Sequence, residues 1–324
     1  MSATSLYRFD RENLDITHLE GGVRSGQWQT RNPEKQAVIL PGRGDFLEKY
    51  APLARFLNAR GYGVTSLDWP GQGGSQRLGR HPQVGHIASY DAYVSALHRC
   101  LTEASLVARP MVWIAYSMGA PVALQALLKR SYNVSALALI SPMFGFKGVP
   151  DPLAHALSRT ASALGYSRHF ALGERPTDLS TWRASESQVS SSPQAFEAFK
   201  AFLMSHPDYL LGGSSWGWVG ASLEVFKILR QADLTNLRLP VLCLSAQDEQ
   251  TVSTKAQERM ARRLPNATLV RLPGKHDLLL NHPDAVEDLL ERVAVFFGSA
   301  VSSGNQAAES ASIPTLSAEM RGTR

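Results

Sequence analysis

The chain has 324 residues and a net charge of +5, with 44% hydrophobic and 19% charged residues. This length can build a large core, either as one elaborated domain or as a domain with an inserted cap. The composition is that of a globular protein and excludes an intrinsically disordered chain. The basic residues are scattered rather than clustered, so we expect no nucleic-acid partner. The net positive charge is compatible with weak contact with an anionic membrane surface.

The sequence carries no visible signal for secretion or membrane insertion. The first ten residues lack the apolar segment of a secretory signal peptide. No run approaches the roughly 18 apolar residues that a membrane-spanning helix needs. Cys100 and Cys243 fall within a predicted helix and a predicted strand, so we expect small buried side chains and no disulfide. We therefore predict a cytoplasmic protein, with peripheral association with the inner membrane left open.

Short apolar segments rich in strand-forming residues alternate with helical patterns along the chain. Strands buried on both faces are continuous apolar runs, and their alternation with helices is typical of a mostly parallel sheet. The sequence therefore predicts an α/β fold, in which helices cover both faces of a mostly parallel sheet. The predicted strands are residues 36–40, 64–68, 111–114, 137–141, 240–245 and 267–272, and the predicted helices are 50–60, 90–106, 121–130 and 286–297.

The alternation stops between residues 140 and 241, where aromatic residues, serine and glycine become more frequent. Helix-like pieces occur there near 153–164 and 193–204. We interpret this stretch as a cap inserted at the C-terminal edge of the sheet. The end of the chain is rich in Ser, Ala, Gly and Thr and has little to bury, which predicts a disordered tail. The predicted domains are 1–143 and 237–298 for the core, 144–236 for the cap and 299–324 for the tail.

The sequence Ala-Tyr-Ser-Met-Gly at residues 115–119 lies between a strand-like and a helix-like run. A serine at a strand–turn–helix junction is typical of a nucleophile elbow, in which small residues two before and two after the serine let the backbone pass. The helix N-terminus behind Ser117 favours developing negative charge. The alternative is an ordinary loop, but the flanking strand and helix favour the elbow.

A nucleophilic serine needs a general base, and the base needs a carboxylate that fixes its tautomer. Asp248 and His276 follow two later strands, on the sheet edge where open α/β sheets place their sites. Glu249 is an alternative to Asp248, which we favour. His276 follows a terminal strand behind a glycine turn, unlike its competitors His81, His86, His98, His206 and His282.

An oxyanion hole needs two preorganised N–H donors. Met118, directly after the serine, is one candidate, and the amide of Arg43 in the loop after the first core strand is the other. Alternatively, this loop is a simple turn, or the Arg43 side chain meets a substrate head group. An apolar substrate pocket beneath the cap is predicted, although its aromatic residues could equally be cap core. The predicted lining residues are Phe46, Phe144, Trp216 and Trp218.

The sequence implies no metal and no cofactor. It contains no cluster with metal-ligand spacing, and the glycines around residue 73 lack the spacing of a dinucleotide-binding fingerprint.

These motifs together resemble the α/β-hydrolase superfamily. More narrowly, the chain is similar to the bacterial lysophospholipase and monoacylglycerol lipase group, of the serine aminopeptidase S33 type. The resemblance implies the α/β-hydrolase fold, a triad of Ser117, Asp248 and His276, and oxyanion donors at Arg43 and Met118. The matching motifs are LPGRG at 40–44, DWPGQGGS at 68–75, GHI at 85–87, YSMG at 116–119, SPMFG at 141–145, and Gly212-Gly213 with Trp218-Val219.

The chain departs from the family pattern at four positions. They are Pro41 and Tyr116, where histidine is common, Pro70, where arginine is usual, and Ala115 in place of glycine. The changes at Tyr116 and Pro70 leave the triad residues in place and concern the packing beneath the elbow, so they bear on substrate range more than on reaction type.

The resemblance implies a serine ester hydrolase acting on small lipid-like esters, lysophospholipids or monoacylglycerols, through an acyl-enzyme. The alternatives are a carboxylesterase, thioesterase or peptidase on the same fold, or a non-enzymatic binding protein. A proline iminopeptidase would carry an HGGPG loop where this chain has PGRG, and a dehalogenase would carry aspartate in place of Ser117. The sequence leaves the acyl chain, the head group and the oligomeric state open.

Overall fold

The computed structural model describes residues 3–30, 33–148 and 151–311, and within them eight strands form one sheet. The strands are β1 (Leu14–Leu19), β2 (Val23–Trp28), β3 (Lys35–Leu40), β4 (Tyr62–Leu67), β5 (Met111–Tyr116), β6 (Val134–Ile140), β7 (Val241–Ala246) and β8 (Ala267–Leu272). Their spatial order is β1-β2-β4-β3-β5-β6-β7-β8. β2 pairs antiparallel with β1 and β4, and all other pairings are parallel. The predicted mostly parallel sheet is confirmed.

Helices cover both faces of this sheet. They are α1 (Ala3–Leu6), α2 (Ala51–Asn58), α3 (Tyr90–Glu103), α4 (Gly119–Lys129), α5 (Asp151–Ala163), α6 (Pro193–Ser205), α7 (Trp216–Gln231), α8 (Thr254–Arg263) and α9 (Pro283–Ala311). Successive strand side chains point to opposite faces, so Trp113 and Ile114 of β5 enter two different cores. Apolar residues of α3, α4, α7 and α8 join Trp113, and those of α1, α2 and α9 join Ile114.

The hairpin β1–β2 was not predicted. Its sequences, LDITHL and VRSGQW, are too polar to read as buried strands. β2 is nonetheless almost entirely buried, because the side chain of Arg24 is neutralised by Glu48 at 2.6 Å and by Asp68 at 3.1 Å. Paired charges of this kind are invisible to a search for apolar runs.

The segment between β6 and β7 holds three α-helices, of which α5 and α6 match the predicted helical pieces. The third, α7, was not predicted, because Gly217 and Gly220 weaken its helical signal. The side chain of Ser215 caps it by accepting from the Trp218 N–H at 3.0 Å. Phe226 of α7 packs in the core against α3 and α4, so this helix joins the cap to the sheet. The domain boundaries stay predictions.

The closing helix α9 is longer than predicted. It reaches Ala311, so residues 299–311 are helical where a disordered tail was expected. Extending an existing helix avoids the nucleation cost, and the alanines here are strong helix formers. The rest of the predicted tail, 312–324, lies outside the described residues. Neither α9 nor any other helix in the described ranges is long and apolar enough to cross a bilayer.

Both cysteines are buried and free, as predicted. Cys100 lies on α3 and Cys243 on β7. Burial raises the pKa of each thiol to about 12, so both stay protonated at neutral pH.

Candidate active site

Ser117 occupies a sharp turn between β5 and α4. Its φ is +47°, in the left-handed region that residues other than glycine rarely adopt. Two backbone hydrogen bonds hold the turn: Ser117 N–H donates to the Ile140 carbonyl at 2.9 Å, and the Met143 N–H donates to the Ser117 carbonyl at 3.0 Å. The side chain thus projects from the carboxyl end of the sheet, as in a nucleophile elbow.

The elbow lies directly against the loop that follows β3. A Cβ added to Gly119 would lie 2.2 Å from the Leu40 carbonyl oxygen, a contact that backbone atoms cannot relieve cheaply. Glycine is therefore required two residues after the serine. Ala115, two residues before, is fully buried, and its methyl group is accommodated where the family has glycine.

His276 lies within hydrogen-bonding distance of the serine, with 2.9 Å between Ser117 Oγ and His276 Nε2. The other ring nitrogen, Nδ1, lies 2.7 Å from Glu249 Oε2. An ionised carboxylate only accepts hydrogen bonds, so Nδ1 carries the proton and donates to Glu249. Nε2 is then free to accept the serine proton. All three side chains are buried.

The carboxylate on the histidine is Glu249, and the expectation that Asp248 contacts His276 is wrong. Asp248 is exposed, whereas Glu249 is 5% exposed. The Asp248 N–H donates to the Gly274 carbonyl at 3.0 Å, which pins the loop backbone beside the histidine loop and turns the next side chain inward. Both residue types serve as triad acids, so the pair Asp248-Glu249 gave no sequence signal for choosing between them.

Glu249 is held in its ionised form. Burial is the largest influence and acts to raise its pKa, but the hydrogen bond and charge of His276 oppose it. Oε1 also accepts the N–H groups of Thr251 at 2.7 Å and Val252 at 3.1 Å. Together these partners lower the pKa of Glu249 below its usual value. A buried anion at this position can stabilise a histidine cation.

Arg43 lies in the loop after β3, and Met118 directly follows Ser117. The loop around Arg43 is fixed on both sides, because Gly42 N–H donates to Asp45 Oδ2 at 2.9 Å and Gly44 N–H to Gln72 Oε1 at 2.7 Å. The backbone N–H groups of Arg43 and Met118 themselves donate to no group in the described part of the chain. Their role as oxyanion donors stays a prediction.

The side chain of Arg43 is engaged by the cap. Nη2 donates to the Gly212 carbonyl at 2.8 Å, and the guanidinium lies 5.1 Å from the centre of the Trp218 ring. Burial lowers the pKa of Arg43, with Glu174 acting in the opposite direction. These contacts connect the loop after β3 to the base of the cap.

A cavity of about 690 Å³ opens beside Ser117 and His276 under the cap. Trp216 and Trp218 line it, as predicted. Phe46 and Phe144 do not, and those two predictions are wrong. Phe46 is fully buried, with its ring stacked on Phe199 and Phe202, and Phe144 is buried in the core beside the cap. Phe146, two residues further on, lines the cavity instead.

The glycine pair at 212–213 and the GHI motif at 85–87 form one joint between cap and core. Gly85 N–H donates to the Gly213 carbonyl at 3.2 Å, and Ser215 N–H donates to the Gly85 carbonyl at 2.9 Å. A Cβ on Gly213 would lie 2.8 Å from the backbone nitrogen of Arg175. The glycines of the two motifs are thus explained by the close approach of the cap backbone and the core backbone.

The elbow, the sheet order and the cap define the class of protein as an α/β-hydrolase. The family described as serine aminopeptidase, S33, matches residues 31–284, and the chain belongs to this family. Within the described ranges, no group of acidic, histidine or cysteine side chains could hold a metal ion.

Curated proteins of similar sequence carry lysophospholipase names. The chain is 26% identical over 266 residues to a probable lysophospholipase L2 from Haemophilus influenzae, covering 81% of this chain and 83% of that protein. It is 28% identical over 263 residues to lysophospholipase L2 from Escherichia coli, covering 77% of this chain and 74% of that protein.

Solved structures of similar fold include lipases. A soluble variant of monoglyceride lipase from Saccharomyces cerevisiae superposes with a TM-score of 0.69 at 16% identity, covering 89% of this chain and 96% of that one. The monoacylglycerol lipase of Paleococcus ferrophilus superposes with a TM-score of 0.66 at 17% identity, covering 88% of this chain and 99% of that one. At these identities the similarity shows the fold.

The choice between the two adjacent acids can be tested with matched variants. We expect Glu249→Gln to lower kcat for a short-chain nitrophenyl ester by roughly 10³- to 10⁴-fold, because a neutral amide no longer fixes the productive histidine tautomer. Asp248→Asn, an equivalent change one residue earlier, should leave kcat within about twofold, since an exposed carboxylate away from the site contributes little. Circular dichroism checks that both variants fold. A large loss in Asp248→Asn with an active Glu249→Gln would contradict this assignment.

Proposed function

We propose that the protein is a serine ester hydrolase that cleaves the acyl ester bond of lysophospholipids or monoacylglycerols. The observation that carries the proposal is the line of hydrogen-bonding contacts from Ser117 through His276 to Glu249 at the floor of a largely apolar cavity. The lysophospholipase names of the sequence relatives and the monoglyceride lipase names of the structural neighbours support the substrate class.

The reaction proceeds in two steps. Ser117 Oγ attacks the acyl carbonyl carbon while His276 Nε2 takes the hydroxyl proton, and Glu249 stabilises the resulting imidazolium. The N–H groups of Arg43 and Met118 bind the oxyanion. His276 then protonates the leaving glycerol oxygen, and the acyl group stays on Ser117. Water, deprotonated by His276, attacks this ester and releases the fatty acid.

The cavity suits a lipid with one acyl chain. Its size is within the range of small-molecule sites, about 300–1,000 Å³. Its walls are mainly apolar and come from both the cap and the core, among them Phe146, Phe199, Leu203 and Trp218. An acyl chain placed against these side chains leaves water and brings its ester end to Ser117, which lines the same cavity.

Lysophospholipids are the better-supported of the two lipid classes. The lysophospholipase relatives match by sequence over about three quarters or more of this chain, whereas the monoglyceride lipases match by fold. The cavity lining holds three lysine or arginine side chains and three acidic ones, so its charge alone does not select one of the two lipid classes. A carboxylesterase, thioesterase or peptidase of the same fold would use the same three residues, so activity on a substrate panel is the deciding measurement.

The panel comprises a lysophospholipid, a monoacylglycerol and a short-chain nitrophenyl ester, each assayed with the wild type and with Ser117→Ala. We expect the wild type to cleave the lipid esters with the higher kcat/KM, because they fill the apolar cavity. Folded Ser117→Ala should lose turnover by at least about 10³-fold on every substrate, since it lacks the nucleophile. A wild type that hydrolyses none of them and resists labelling by a fluorophosphonate would leave the non-enzymatic binding protein as the better account.

We further propose that the cap contacts the surface of a lipid assembly. Leu157 and Leu172 line the cavity, yet their side chains are 43% and 84% exposed. Large apolar side chains at the mouth of a lipid-binding cavity would enter an interface with little loss of favourable hydration. The net charge of +5 would favour an anionic surface. The cytoplasmic location and the membrane contact stay predictions.

Vesicle binding tests the cap contact. We expect Leu172→Ser to lower co-sedimentation with anionic vesicles several-fold and to slow hydrolysis of lysophospholipid in those vesicles, because less apolar area is buried at the interface. Hydrolysis of a soluble nitrophenyl ester should be unchanged. Val295→Ser is the control, since Val295 is 70% exposed on α9 and does not line the cavity. Equal sedimentation of wild type and Leu172→Ser would contradict the proposed contact.

A further inference from the structure

A buried lysine lies at the junction of the segments that carry the proposed catalytic groups. Lys49 is 3% exposed, and its Nζ is 2.6 Å from Asp45 Oδ1 and 2.6 Å from Asp277 Oδ2. Its ammonium also lies 4.6 Å from the centre of the Tyr116 ring. Asp45 and Asp277 are themselves buried. The reaction scheme above does not use any of these four side chains.

Each contact of Lys49 is next to a different part of the proposed machinery. Asp277 directly follows the base His276, and Tyr116 directly precedes the nucleophile Ser117. Asp45 holds the remaining segment, because its Oδ2 accepts the N–H of Gly42, the residue before the proposed oxyanion donor Arg43. One ammonium group thereby touches the oxyanion loop, the nucleophile strand and the histidine loop.

The lysine is charged in this site. Burial is the largest influence on it and acts to lower the pKa of Lys49, but Asp277 and Asp45 together outweigh burial and raise the pKa. For Asp277, burial raises the pKa and Lys49 opposes the shift. Buried ion pairs add little net stability compared with apolar packing of the same volume. Stability alone therefore does not account for an ionic cluster here.

Tyr116 belongs to the same cluster, because the face of an aromatic ring attracts a cation. The Tyr116 ring also packs beside the His276 ring, with 5.7 Å between their centres. A Cβ added to Gly42 would lie 2.7 Å from the Tyr116 ring, so the loop and the ring are in tight contact. Lys49 and Tyr116 thus form a matched pair beneath the site.

We propose that Lys49 is a positioning residue that holds the Arg43 loop and the His276 loop in fixed relation to Ser117, through Asp45 and Asp277. This inference rests on the proposed function, since the groups that it positions are those assigned there. Lys49 itself touches no reacting atom. Its loss should therefore lower kcat, through misplaced donors and base, while substrate binding in the apolar cavity is largely retained.

Three variants separate positioning from folding. Asp277→Asn removes the charged link to the histidine loop while the Asp45–Lys49 pair stays balanced, and should lower kcat about tenfold. Lys49→Met breaks both links and should lower kcat about a hundredfold, with KM within about threefold of wild type. Lys49→Arg keeps the charge and should recover part of the loss. A second readout, the rate at which a fluorophosphonate labels Ser117, should fall in parallel.

Glu48→Gln provides the matched control. Glu48 is the preceding residue, is fully buried, and pairs with Arg24 at 2.6 Å and Arg11 at 2.7 Å. It belongs to a separate ionic cluster, away from the elbow and the histidine loop. We expect Glu48→Gln to lower the melting temperature and to keep kcat and the labelling rate near wild type.

Several outcomes would overturn the proposal. One is a folded Asp277→Asn with wild-type kcat and labelling rate. Another is a rise in KM alone, and a third is an equal loss of kcat in Glu48→Gln. If Lys49→Met fails to fold, Asp277→Asn and Lys49→Arg decide. If the wild type is labelled at Ser117 but cleaves no lipid ester, the proposed substrate class is wrong. The labelling rates of the variants then still test the role of Lys49. An unlabelled wild type would overturn both proposals.

Discussion

The left-handed turn at Ser117 is the constraint on which the site depends. A non-glycine residue in this region costs on the order of 1–3 kcal/mol and persists only where its surroundings hold it. Here β5 is buried on both faces. The Ser117 N–H donates to the Ile140 carbonyl at the end of β6, and the Met143 N–H, in the loop after β6, donates to the Ser117 carbonyl. Gly119 lets α4 begin against the Leu40 carbonyl. The same turn that strains the serine backbone brings its hydroxyl to His276.

Around this turn the protein buries more charge than its apolar sheet suggests. Glu249, Lys49, Asp45 and Asp277 lie at the carboxyl edge of the sheet, each with charged or hydrogen-bonding partners. Beside them, burial raises the pKa of Asp68 to about 7 although Arg24 opposes the shift. A buried polar group is tolerable only when it is paired, and a fully paired network restricts the loops that carry it to few arrangements. We infer that precise loop placement, rather than added stability, is what these charges provide.

The sequence was sufficient to predict those elements that a single residue type or a single hydrophobic period defines. Continuous apolar runs revealed the parallel strands from β3 to β8, and the strand–serine–helix junction revealed the elbow. The sequence was insufficient where contacts between residues distant in the chain determined which side chain is buried. The loop turn that buries Glu249 and exposes Asp248 depends on a backbone hydrogen bond to Gly274. Loop aromatics have no period, so Phe144 and Phe146 could not be assigned to core and cavity, and β2 is buried through ion pairs that no hydropathy pattern contains.

We propose that Ser117, His276 and Glu249 act as one unit beneath the cap, with the oxyanion facing two backbone amides. The most direct measurement is a crystal structure of the protein inactivated by a long-chain alkyl phosphonate. We expect a covalent bond from phosphorus to Ser117 Oγ, a phosphoryl oxygen about 3 Å from the amide nitrogens of Arg43 and Met118, and the alkyl chain along Trp218 and Phe146. Attachment to another residue, or a His276 ring bonded to Asp248 instead of Glu249, would contradict it.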